Sequence, residues 1–329
     1  MRRLRRPRYT VPTMADSGPA GRRRINDRLE YARTATVPTS FPPHWTKPDV
    51  KGLLHAMQGK VCAYCGVALR GLEVDHFRPK GTVGNDKAHG GYWWLAYELS
   101  NYFLGCTVCN GTRKRNSFPL IAGATRCTYD TRNTLALEGR VLLDPAEDAV
   151  EEWLTIDWDT ATAKLMPNPA LGEGERSRAQ YIIDLLGLNI DPEVRSQRSK
   201  AYEEAAQAAI EQRWDDLRQS AMRHRPHSLA ARTILQRVAP ERLPSAEEEM
   251  GDLADLIWSD LRMLVSGSQD LRARRPPSPF DERQLQALCW ALVVLQSDAV
   301  AVTEHLADLL EREPADIRVG IVTLFRDLR

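Results

Sequence analysis

Two cysteine pairs, Cys62-Ala-Tyr-Cys65 and Cys106-Thr-Val-Cys109, frame Asp75-His76 and Asn101, and Asn110 follows the second pair directly. In a reducing compartment, paired C-x-x-C units indicate metal before disulfide, and two of them point to a zinc site of four cysteines. The 40 residues between the pairs exceed the spacing of a compact zinc ribbon, so a further unit is inserted between the knuckles. An imidazole with a pKa near ~6.5 can take a proton from water at neutral pH. A carboxylate and an amide carbonyl suit a hard divalent cation. With Asp75 and Asn110 as ligands, coordination positions remain for water and phosphate oxygens. The metal then acts as a Lewis acid on the phosphate and leaving oxygen while His76 activates the nucleophile. The chemistry that suits this set is phosphodiester hydrolysis. Each piece is weak alone; inside a double C-x-x-C frame the set is far more specific.

These residues need short, stapled elements to position them. Leu72 to His76 reads as a strand, and Asn101 to Gly105 as a second extended run entering the second knuckle. Asn110 to Asn116 suits a small helix starting at that knuckle. Asp75 and His76 are adjacent, so on a regular strand they point to opposite faces. Both serve one site only if the strand ends or twists there, and Pro79 fits such a break. So small a motif has little core of its own and draws folding energy from its metal. Asp49 to Gln58 has helical spacing and ends at Gly59. Tyr92 to Leu99 reads as helix, its aromatics suited to core packing over base stacking. Trp153 to Trp158 and Lys164 to Met166 form a β-hairpin. Helical periods then run over about 177–187, 192–224, 228–238, 246–265, 281–296 and 298–312, after a helix at 22–34. Cys127 and Cys289 read as buried thiols without a chemical role.

The 329 residues allow two modest domains or one with a long extension. The net charge of +1 hides an asymmetry: residues 1–120 carry 20 basic and 8 acidic residues, the remainder 25 basic and 36 acidic. A basic front half is the footprint of a polyanion binder. Arg113, Lys114 and Arg115, close to Asn110, are expected to meet phosphate. No uninterrupted apolar run of membrane-spanning length and no secretory leader are visible, so a cytosolic protein without membrane contact is expected.

The arrangement resembles the HNH endonucleases of the Asp-His…Asn…Asn kind. His76-Phe-Arg-Pro-Lys80, Tyr92-Trp-Trp-Leu-Ala-Tyr97, Phe118-Pro119, Leu143-Asp-Pro145 and Arg178-Ala-Gln180, with the Arg-rich start, are similar to the PtuB family, the HNH subunits of Septu-type antiphage systems, some attached to retrons. That likeness covers roughly residues 1 to 200. It implies Asp75 and Asn110 as ligands of Mg2+ or Mn2+, His76 as general base, and Asn101 as the residue bracing the ββα loop. It also implies a phosphate contact from Lys114 and a partner ATPase of the PtuA (ABC/SMC-like) type in a hetero-oligomer; Arg78 and Lys80, just after His76, are expected to meet phosphate as well.

The expected fold is α+β: a ββα-metal core stapled by zinc, a β-hairpin, and a mostly helical C-terminal region. The expected division is 1–48 as basic arm and helix, 49–125 as nuclease domain with knuckles, 126–240 as hairpin plus helical extension, and 241–329 as a C-terminal helical domain. The expected substrate is double-stranded DNA, with RNA also chemically possible. Two other readings suit the residues: a zinc-stapled binding module without catalysis, and a stand-alone effector nuclease triggered by a nucleotide second messenger.

Overall fold

Glu73–His76 forms strand β1 and Tyr102–Gly105 strand β2, paired antiparallel with Asp75 opposite Phe103 and His76 opposite Tyr102. The computed structural model describes residues 34–46, 50–51, 54, 58–68, 71–157, 163–245 and 248–249. The helices expected at 22–34, 246–265, 281–296 and 298–312 fall wholly or almost wholly outside these residues, as does Cys289. Val50, Lys51, Leu54 and Gln58 are helical as their spacing predicts, with Val50 and Leu54 in the core. The Gln58 side chain donates to the carbonyls of Val61 and Leu104 and accepts from the Leu104 amide, tying this helix to β2 and the first knuckle.

The expected helix over Tyr92 to Leu99 is replaced by a 3-10 turn, Trp93–Leu95, followed by another at Leu99–Asn101. The reason is tertiary. Gly91 enters with a φ of +89°, and a Cβ there would lie 2.0 Å from the Gly81 carbonyl oxygen, so two loop segments cross at van der Waals contact. Tyr92 packs edge-on to Phe118 at 5.5 Å, while Trp93 stacks on Tyr129 at 4.7 Å. The aromatic run fills the core, and Tyr92 and Trp93 are both buried.

After β2 the chain enters the second knuckle and a π-helix, Val108–Lys114, in which the Arg115 amide donates to the Asn110 carbonyl five residues back at 2.8 Å. The hairpin expected at Trp153–Met166 is present as β3, Leu154–Ile156, and β4, Leu165–Pro167, antiparallel with Thr155 opposite Met166. Helix α1, Val150–Trp153, precedes it. Helix α2, Glu173–Leu186, ends at Gly187 in the left-handed region and packs on the π-helix. Helix α3, Pro192–Ile210, starts with Pro192 after Asp191, whose carboxylate accepts from the Glu193 and Val194 amides.

The single helix expected over 192–224 is broken. Gln212 takes a φ of +56°, the Arg213 amide donates to the Ala208 carbonyl, and a separate α4, Trp214–Ser220, folds back. The break lets Leu217 and Ala221 join Ala205, Ala208, Ile234 and Leu235 in a second cluster with α5, Ser228–Val238. A straight helix would carry Leu217 into solvent, so apolar burial selects the turn. The described architecture is α+β, with two small two-stranded sheets against a helical layer. No helix among the described residues is long and apolar enough to cross a membrane.

Candidate metal centre and basic cleft

The four sulfurs of Cys62, Cys65, Cys106 and Cys109 lie within 4.8 Å of one another, all buried, with Cys65 and Cys106 3.9 Å apart. A tetrahedral ion bound to thiolate at about 2.3 Å places its sulfurs roughly 3.8 Å apart, so the donor set fits zinc. Backbone amides also aim at sulfur: Cys106 N–H donates to Cys62 Sγ at 3.3 Å and Cys109 N–H to Cys106 Sγ at 3.4 Å. The first knuckle closes on itself through Cys62 N–H to the Val67 carbonyl, and the Ala63 amide reaches Leu104 in β2. The knuckles thereby fix the hairpin against the π-helix.

Asp75 and His76 leave β1 toward different neighbours. His76 packs edge-on to Trp45 at 4.6 Å and to Tyr102 at 5.0 Å, and its Nε2 lies 2.9 Å from the Ala96 carbonyl oxygen. A carbonyl only accepts, so Nε2 carries the hydrogen and Nδ1 is the lone-pair nitrogen of the neutral ring. The Tyr102 hydroxyl donates to the same carbonyl at 2.6 Å and fixes its position. Burial holds the His76 pKa well below the ordinary range; Lys80 and Lys114 add to that, against the Ala96 hydrogen bond. The ring is therefore neutral at neutral pH.

Asp75 is 3% exposed. Its Oδ1 accepts from the Lys114 ammonium at 3.0 Å and its Oδ2 from the Tyr64 hydroxyl. Burial raises the Asp75 carboxyl, and Lys114, Tyr64 and Lys80 only partly offset it. Asp75 and His76 nevertheless line one open cleft of about 940 Å³, together with Asn110, Lys80, Lys87, Arg113, Lys114 and Arg115. The strand ends at His76, so the opposite-face rule no longer separates the two side chains. Asn110 approaches because residue 105 is glycine: a Cβ there would stand 3.2 Å from that of Asn110.

Asn101 does not line this cleft. Its Oδ1 accepts from the Arg78 amide at 2.8 Å and its Nδ2 donates to the Arg78 carbonyl at 2.9 Å and to Leu95. It clamps the amide and the carbonyl of one residue in the loop after β1.

The basic residues divide. Lys80, Arg113 and Arg115 line the cleft, with the Lys80 ammonium 4.3 Å above the Trp45 ring. Arg78 points elsewhere: its Nε pairs with buried Glu138 at 3.1 Å, and its guanidinium lies over Phe118. An arginine so committed is a strut of the 121–139 segment, and a phosphate contact would break that pair. Lys114 is fully buried beneath the cleft, donating to Asp75 and to the His76 carbonyl at 2.9 Å. It is the counter-ion of Asp75, whereas the sequence reading has it meet phosphate.

No family model matches the chain. Septu protein PtuB of Bacillus mycoides (strain KBAB4) is 32% identical to it over 155 residues, 44% of this chain and 52% of the relative. Over that stretch the chain is similar to PtuB. The chain spans about half the length of this curated relative.

Several residues that shape this site stand outside the motifs read from the sequence. Tyr64, inside the first knuckle, holds Asp75; the Ala96 carbonyl holds His76; Trp45 walls the histidine; Glu138 anchors Arg78 and accepts from the Tyr92 hydroxyl at 2.6 Å. Tyr64 alone is marked in the sequence, as the residue preceding Cys65. The remaining three act from 20 to 60 positions away, at separations no local pattern encodes.

Proposed function

We propose that this chain is a metal-dependent endonuclease of the HNH type, acting on nucleic-acid phosphodiester bonds, with double-stranded DNA as the substrate. The observation that carries the reading is His76: a neutral imidazole with Nε2 anchored on a backbone carbonyl, in a basic cleft it shares with Asp75 and Asn110. The β1–β2 hairpin and the following helix, pinned by four cysteines, support a ββα-metal core with structural zinc.

The donor set also fits a hard cation, since a carboxylate and an amide oxygen share one cleft and that carboxylate already attracts an ammonium. Asp75 and Asn110 would hold Mg2+ or Mn2+, which when bound supplies Lewis-acid charge relief at the scissile phosphate. His76 Nδ1 takes a proton from water as the water oxygen bonds to phosphorus. The P–O3′ bond breaks, and the leaving oxygen is protonated from solvent. Lys80, Arg113 and Arg115 hold the flanking phosphates.

The likeness to a Septu protein supports an effector role in antiphage defence. In this reading the nuclease is cytosolic and works in a hetero-oligomer, restrained or licensed by a PtuA-like ATPase of the ABC/SMC type. The test is plasmid nicking with Mg2+. Wild-type protein nicks, and His76→Ala loses at least about a hundredfold in rate while retaining DNA affinity. Equal nicking by wild type and variant sinks the assignment of the base. Binding without nicking by either makes the chain a binding module.

A further inference from the structure

Lys114 is a fully buried cation that the proposed reaction does not use. Its ammonium stands 3.0 Å from Asp75 Oδ1 and 2.9 Å from the His76 carbonyl oxygen. Asp75 has donors on both oxygens, Lys114 on one and Tyr64 on the other. The helix after the second knuckle sets the placement. Asn110 and Lys114 stand four residues apart on that helix, share one face of it, and both line the cleft with Asp75. Asp75, the carboxylate proposed to hold the catalytic cation, is thus met by a positive charge belonging to the protein itself.

We propose that Lys114 is a built-in competitor for the catalytic cation, neutralising Asp75 in the metal-free protein and giving it up when a divalent ion loads. This rests on the reading of Asp75 and Asn110 as the ligands. A divalent ion on Asp75 Oδ1 and an ammonium on the same oxygen repel across a short, poorly solvated gap, so one must retreat. The Asp75–Lys114 pair stabilises the empty site, because a buried carboxylate without a partner is costly. The same pair lowers affinity for the metal. Lys114 therefore sets the concentration at which the nuclease becomes loaded, and the effector rests in a charge-neutral state until the metal arrives.

The test reads metal binding and not cleavage. Mn2+ is titrated into zinc-loaded full-length protein and the free aquo-ion is followed by electron paramagnetic resonance. Lys114→Gln keeps donors for Asp75 and the His76 carbonyl without the charge, and is expected to bind Mn2+ about tenfold tighter than wild type. Asp75→Asn is expected to lose that site. Binding by Lys114→Gln equal to or weaker than wild type overturns the proposal. If Asp75→Asn binds Mn2+ as wild type does, the ligand assignment itself is wrong and the inference falls with it.

Should Lys114→Gln fail to fold, native protein carries the test. With 15N-labelled lysine side chains, the protected Lys114 ammonium resonance is expected to shift and exchange faster with solvent as Mg2+ saturates. A resonance unchanged at saturation overturns the proposal.

Discussion

At the scale of single residues, the cleft separates cations by what they already hold. Arg78 spends its guanidinium on Glu138 and on the rings of Phe77 and Phe118, whereas Lys80 and Arg115 sit in the cleft without such a carboxylate partner among the contacts described. Each phosphate contact contributes close to one unit to the salt dependence of DNA affinity. Lys80→Ala and Arg115→Ala are therefore each expected to reduce the slope of log K against log salt by about 1. Arg78→Ala is expected to leave that slope unchanged and to lower the melting temperature, since it takes the paired cation from the buried Glu138 carboxylate. Binding isotherms at several salt concentrations, with thermal melts, check both outcomes. A loss of slope in Arg78→Ala would return that residue to the phosphate track.

The knuckles, the hairpin and the π-helix form one mechanical unit at the scale of elements. Strands of four residues bury too little to hold themselves, and a lone hairpin is marginal in water. The sulfur cluster joins residue 62 to residue 109 and so fixes β1, β2 and the helix that carries Asn110 and Lys114. Structural zinc binding in small motifs supplies on the order of 10 kcal/mol toward folding. One zinc per chain is expected by metal analysis. Its removal by a strong chelator, or Cys106→Ser, is expected to abolish nicking and release the near-ultraviolet signal of the buried Tyr64, Tyr92 and Tyr102. Retention of that signal after complete zinc loss would show that the aromatic core alone supports the hairpin.

Across the whole molecule, a buried network binds the helical layer to the rest. Glu151 in α1 accepts from Arg223 and from Arg232 in α5, and both arginines also reach Glu249. Burial alone would raise the Glu151 carboxyl, yet the attraction of Arg223 and Arg232 outweighs it and the pKa lies below the ordinary value. A carboxyl depressed in the folded state contributes stability above its ordinary pKa of 4.5, and that contribution is lost as pH falls through the folded value. Acid unfolding is thus expected to steepen below about pH 4.5. Glu151→Gln is expected to flatten that limb and to cost about 3 kcal/mol at neutral pH, where it leaves two arginines short of a partner. Denaturant titrations at pH 7 and pH 4 measure it, and an unaltered pH dependence in the variant would remove Glu151 from the account.

Much of this was legible in the amino acids. The spacing of Cys62, Cys65, Cys106 and Cys109 announces a sulfur cluster, because thiolate ligation depends on residue type and short local geometry. Short extended runs placed β1 and β2, and alternation and helical period placed the second hairpin and the helices of the extension, since those patterns express a buried face. Folding decided what sequence spacing cannot express. Residues 92–99 gave up a helix so that Tyr92 and Trp93 could bury against Phe118 and Tyr129, and 192–224 broke at Gln212 so that Leu217 could reach α5. Tertiary structure also decided which charges face the cleft. Lys114 and Arg78 look alike in sequence as basic residues beside a site, but a cation's role follows from its nearest carboxylate. For these two that carboxylate lies 39 and 60 residues away.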